Sequence, residues 1–176
     1  MSDKPTILVT RKLPQNVEER LARDFEARFN SDDTLYTQEQ VVELAEGCDG
    51  IVACHSEHFD RAQFEALPDS VKILAAYSVG IDWIDLDAAK DNDVVVTNTP
   101  DVLSDATAET TFLLLLGAAR RASEGERLVR AQEWKDWSLS FMLGAQVTGK
   151  RVGIVGMGRV GRVVARRARG FDMTVH

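Results

Sequence analysis

The chain has 176 residues, 44% of them hydrophobic and 28% charged, with a formal net charge of −7. That balance suits a soluble globular protein with a sizeable core rather than a disordered chain. Its acidity argues against wrapping nucleic acid, and its longest apolar run, Phe112 to Ala119, is far too short to span a bilayer, so neither a nucleic acid nor a membrane is expected as a partner.

Short apolar strands alternate with amphipathic helices over the first hundred residues, the pattern of an α/β fold around a parallel sheet. A first strand is predicted over residues 6–10. A helix follows Pro14, with Val17, Leu21 and Phe25 spaced four apart on one face. Residues 27–30 read as a weaker strand. Thr37 and Gln40 have the spacing of a capping box ahead of Val41, Val42 and Leu44, and Gly47 is placed to end that helix. Residues 50–54 form a buried strand, 60–67 a helix stopped by Pro68, and 72–77 a strand that runs into Ser78-Val79-Gly80. Asp85 can cap a short helix through Lys90, and residues 93–97 complete a unit that closes near Pro100.

One long helix is predicted at about 104–132. Its middle, from Phe112 to Ala119, is apolar on all sides, so it is expected to be buried all round, as core, interdomain spine or dimer seam. Residues 134–149 are irregular, hold Trp134 and Trp137, and read as an ordered arm. A strand at 151–155, a helix at 160–170 and the start of a strand at 173–176 follow.

The residues that point to chemistry lie in this last stretch. Gly156-Met157-Gly158-Arg159-Val160-Gly161 is a G-x-G-x-x-G that follows a strand and opens a helix, the context that makes it a dinucleotide fingerprint. Gly156 permits the tight turn, Gly158 lets backbone approach a diphosphate, and Gly161 lets the helix pack on the strand. The free amides of Arg159 and Val160 then point at the ligand, aided by the helix dipole. From Lys150 to His176 there are seven Lys/Arg and one acid, a net of +6 against −13 for the rest, which fits a small anionic ligand. Arg162, Arg166 and Arg169 read as a solvated face. The residue that tells NAD from NADP is expected about 20 positions past the glycines, beyond His176, so the cofactor is NAD or NADP. Cys48 and Cys54, spaced C-x5-C, match no zinc or redox motif, which predicts reduced thiols in a cytoplasmic protein and no metal site.

In sequence the chain resembles the D-isomer-specific 2-hydroxyacid dehydrogenases along its whole length, most strongly from Ala75 to Gly161. The matching pieces are Ser78-Val79-Gly80-Ile81-Asp82, Thr97-Asn98-Thr99-Pro100, and Val102-Leu103-Ser104-Asp105-Ala106-Thr107-Ala108-Glu109. Leu143-Gly144 and Thr148-Gly149-Lys150 then lead into the fingerprint. The tryptophans before Leu143-Gly144 look like the glyoxylate/hydroxypyruvate reductase branch.

The resemblance implies a flavodoxin-like substrate domain with a parallel sheet at 1–101. The truncated start of a Rossmann NAD(P)-binding domain, including the long helix, would fill 102–176. It implies that the turn Ser78, Val79, Gly80 holds the carboxylate of a small 2-keto or 2-hydroxy acid on backbone amides, as such a nest can; an ordinary strand-terminating turn is the alternative. Thr107 would touch the cofactor through its hydroxyl, unless it caps the helix, and the long helix would form a homodimer interface. The family's catalytic arginine, histidine and carboxylate lie later in its sequence, so no catalytic residue is assigned. The parent enzyme is expected to reduce a glyoxylate- or hydroxypyruvate-type acid, and this chain alone to be inactive. His55 and His58 follow a strand end, where a lone histidine is more often structural than a substrate ligand. A non-catalytic dimerising or binding module, and a formate or phosphite dehydrogenase-like relative, are the alternatives.

Overall fold

A computed structural model describes residues 4–176. The chain forms two compact units, Met1–Pro100 and Asp101–His176. In the first, strands β1 (Thr6–Val9), β2 (Glu26–Phe29), β3 (Gly50–Ala53), β4 (Ile73–Ala76) and β5 (Val95–Thr97) alternate with helices α1 (Gln15–Asp24), α2 (Gln38–Leu44), α3 (Arg61–Ala66) and α4 (Leu86–Asp91). All strand pairs are parallel, and the sheet order is β2-β1-β3-β4-β5, the flavodoxin-like arrangement.

Side chains alternate across each strand, so one residue's shift in register exchanges the two faces. Leu8, Ile51 and Leu74 stand opposite one another in the register and face α2, α3 and α4, packing with Val41, Phe64 and Ala88. Ile7, Val9 and Val52 point the other way, against Val17, Leu21 and Phe25 around α1. Phe59 anchors the larger core, with its ring 5.8 Å from Phe64 and 6.0 Å from Trp83.

Local signals set the helix starts. The Thr37 hydroxyl accepts from the Gln40 amide while the Gln40 side chain accepts from the Thr37 amide, the full reciprocal box. Asp60 and Asp85 cap α3 and α4 by accepting from the amides of Gln63 and Ala88, both at 2.9 Å.

The second unit holds α5 (Ser104–Ala119), α6 (Ala122–Arg130), β6 (Arg151–Val152), α7 (Arg159–Arg169) and β7 (Thr174–Val175). β6 and β7 pair in parallel, and the ladder runs on through His176 N to Val152 O at 2.9 Å and Ile154 N to His176 O at 2.8 Å. α5 lies on α7 through Ala108, Phe112, Val164 and Ala168, with Phe112 stacked on Phe171 at 5.5 Å.

Two expectations for the long helix are corrected here. It is not one helix over 104–132: it breaks at Arg121, whose φ of 56° is left-handed. The arm makes that break tenable. Ala145 N donates to Ala119 O at 2.7 Å, and the Arg121 guanidinium reaches Leu143 O at 3.3 Å and Glu124 at 2.6 Å. Nor is its apolar middle buried all round as core of the single chain. Phe112 is 7% exposed, but Leu113 and Leu114 are 70% and 67% exposed, because α7 covers only one side.

Candidate functional site

Open α/β sheets bind ligands outside the carboxyl ends of their strands. At the end of β4 the chain turns through Ser78, Val79 and Gly80. Every carbonyl in that turn is used. Ser78 O accepts from the Thr99 amide and hydroxyl, both at 3.0 Å, and Val79 O accepts from Asn98 Nδ2 at 2.9 Å. Gly80 O accepts from Ser78 Oγ at 2.7 Å and from Trp83 Nε1 at 3.0 Å. With its carbonyls fastened inward by Asn98, Thr99 and Trp83, the turn is rigid, and its remaining polar groups are amides, a donor set suited to a small carboxylate.

Between β1 and β3, where the strand order reverses, lies a polar cluster that the sequence reading did not single out. Arg11 Nε and Nη2 grip both oxygens of Asp33, at 2.8 and 3.0 Å, while Nη1 donates to Ser56 Oγ at 2.6 Å. Ser56 Oγ donates to Glu57, whose other oxygen accepts from the Cys54 amide at 2.9 Å. The guanidinium, with the Lys12 amide, holds the Asp33 carboxyl down at about 2, from an ordinary 3.8. This ties the loops after β1, β2 and β3 together. His55 sits on the last of them, exposed, with Nδ1 3.4 Å from Cys54 Sγ. His58 is exposed, and its carbonyl accepts from Gln38 Nε2 at 3.0 Å. Cys48 is buried, and burial pushes its thiol up. No hydrophobic period announces a cluster of this kind; an arginine after a strand end looks like any surface residue.

In the second unit Gly156-Met157-Gly158 joins β6 to α7, with Gly158 at the N-cap. Gly156 has a φ of 95°, which an L side chain rarely adopts. A Cβ on Gly161 would lie 2.2 Å from Gly156 O and 3.4 Å from Ile154 Cγ2, so only glycine lets α7 start this close to the strand. A Cβ on Gly158 would meet nothing within 4 Å, so that side of the turn is open to an approaching group. The amides of Arg159 and Val160 open α7 and have no carbonyl one turn back to bond to. An open glycine face beside free helix-start amides fits a dinucleotide diphosphate.

Thr107 lies one turn into α5, exposed, with its amide on Leu103 O at 2.9 Å. The N-cap is Leu103, so the helix-cap alternative for Thr107 does not apply. Arg159, at the fingerprint, pairs with Asp101; Arg166 and Arg167 pair with Asp105 of α5. The expected solvated face of Arg162, Arg166 and Arg169 is exposed, and beside it Arg167 joins Arg166 on Asp105. Among the described residues, no group of His, Cys, Asp and Glu could hold a metal ion, and no helix is long and apolar enough to cross a membrane.

Comparison with known proteins shows the family. Residues 7–169 match the sequence profile "D-isomer specific 2-hydroxyacid dehydrogenase, catalytic domain". The glyoxylate reductase of Thermococcus onnurineus (strain NA1) is 42% identical over 176 residues, which cover 98% of this chain and 52% of that protein. A Polaromonas sp. JS6 66 crystal structure, named as a D-isomer specific 2-hydroxyacid dehydrogenase, NAD-binding, superposes with a TM-score of 0.91 at 38% identity, covering 98% of this chain and 54% of its own. The NADPH-dependent glyoxylate/hydroxypyruvate reductase of Sinorhizobium meliloti, in complex with citrate, gives 0.80 at 31% identity, covering 98% and 53%. The chain thus spans about half the length of the curated relatives it matches.

Proposed function

Because the chain belongs to the D-isomer specific 2-hydroxyacid dehydrogenase family, we propose that it supplies the carboxylate turn and the dinucleotide fingerprint of an oxidoreductase acting on a small 2-keto acid. The substrate would be of the glyoxylate or hydroxypyruvate type, reduced to the D-2-hydroxy acid with NADH or NADPH. The observation that carries this reading is the β6–α7 turn: a left-handed Gly156, an open Gly158 and a Gly161 that admits no side chain.

Residues 1–101 would be the substrate domain and 102–176 the start of the cofactor domain. Val79 and Gly80 would hold the substrate carboxylate on their amides, with Ser78 shaping the turn. Arg159 and Val160 would hold the diphosphate, and Thr107 would contact the same cofactor. When bound, the reduced nicotinamide supplies the hydride that the keto carbon accepts. No residue of this chain is assigned the accompanying proton transfer. These 176 residues on their own are therefore expected to bind without turning over.

A second copy of the chain is the expected partner. Its support is the exposure of Leu113 and Leu114 on α5 and of Trp137, at 70%, 67% and 72%, apolar side chains that a second copy would cover. The two free thiols fit a cytoplasmic setting.

Fluorescence titration of the full-length protein with NADH and NADPH tests the reading. The wild type should bind at least one of them. Gly158→Ala should weaken that binding by about tenfold or more, roughly 1.4 kcal/mol, with its circular dichroism unchanged. A wild type that binds neither nucleotide, or a Gly158→Ala variant that binds equally well, would sink the proposal.

A further inference from the structure

Beside the fingerprint, Arg159 Nε donates to Asp101 Oδ1 at 2.5 Å, and both side chains are more than half exposed. Arg159 is the first residue of α7, directly after Gly158, so its guanidinium hangs from the fingerprint turn. The other paired arginines of α7, Arg166 and Arg167, lie about two turns further on and serve the seam with α5. Asp101 and Arg159 lie in the same unit, and because both side chains are solvated the pair can open at small cost.

A carboxylate on a guanidinium is the same chemistry as a phosphate on a guanidinium, and a diphosphate brings more charge and more acceptor oxygens. We propose that Asp101 is an internal counter-anion for Arg159: it occupies the guanidinium while no dinucleotide is bound and yields it to the diphosphate on binding. The inference rests on the dinucleotide reading above. Asp101 then opposes binding in two ways, by holding the arginine and by repelling the incoming negative charge. Only the first requires Arg159, and that difference makes the proposal testable.

The experiment is a double-mutant cycle on the full-length protein, titrating the nucleotide that the wild type binds and following its fluorescence at low salt. Asp101→Asn should tighten binding by about two- to fivefold, the scale of an exposed ion pair. Arg159→Gln should weaken it. The gain from Asp101→Asn should vanish in the Arg159→Gln background and shrink as salt rises toward about 0.5 M. Asp101→Ser, scored in parallel for affinity and for the number of sites, replaces Asp101→Asn if that variant folds poorly. Unchanged or weaker binding by the Asp101 variants overturns the proposal, since Asp101 would then only clip or position the helix entry. An equal gain without Arg159 also overturns it, leaving plain repulsion. A wild type that binds no dinucleotide takes down the functional reading first, which is a distinguishable result.

Discussion

Asp33 and Gly161 show how differently single residues contribute. The Asp33 carboxyl is exposed but gripped by Arg11, and it titrates at about 2 rather than 3.8. A group whose folded value is depressed stabilises the fold fully above its ordinary value and loses that contribution as pH falls through the folded one. Asp33→Asn is therefore expected to lower the urea midpoint at pH 6. The gap to wild type should close between about pH 4 and 2, and a gap constant with pH would contradict this assignment. Gly161 acts by volume instead. With Gly156 O 2.2 Å from where a Cβ would stand, Gly161→Ala forces helix and strand apart. It should cost about 1–3 kcal/mol in thermal unfolding of the second unit, unlike Gly158→Ala, whose Cβ meets open space. The turn at Gly156 and the close packing at Gly161 were legible because the motif carries them. The Arg11–Asp33 grip was not, because 22 residues separate its partners and only the sheet order brings them together.

At the scale of elements, the starts of helices were legible and one helix end was not. Caps are local: Thr37, Asp60 and Asp85 each act on an amide three residues along. Thr37→Ala should cost about 1 kcal/mol by removing half of the reciprocal box, a loss that urea denaturation can measure. The break at Arg121 had no such local marker. Neither glycine nor proline stands there, and the left-handed residue is an arginine. What favours the break is the returning arm, whose Ala145 amide takes up the Ala119 carbonyl and whose Gly144 passes close to it; a Cβ on Gly144 would lie 2.5 Å from that oxygen. A contact across about 25 residues thus overrides a helical pattern that propensity alone would continue.

For the whole molecule, the question is what covers the apolar surface of α5. If a second copy covers it, charge there should separate the copies. The double variant Leu113→Glu, Leu114→Glu is expected to sediment as a monomer at concentrations where the wild type is a dimer, with the first unit's fold retained; identical sedimentation would place the interface elsewhere. By itself the sequence determined the alternation of strand and helix, the caps, the family and the fingerprint. These rest on short periods and fixed spacings, which local physics reads directly. Tertiary structure alone decided which side of α5 is buried, where that helix breaks, and which distant charges meet: Arg11 with Asp33, and Arg159 with Asp101. Such choices depend on packing partners far along the chain, and a pattern apolar on every side does not say which partner comes first.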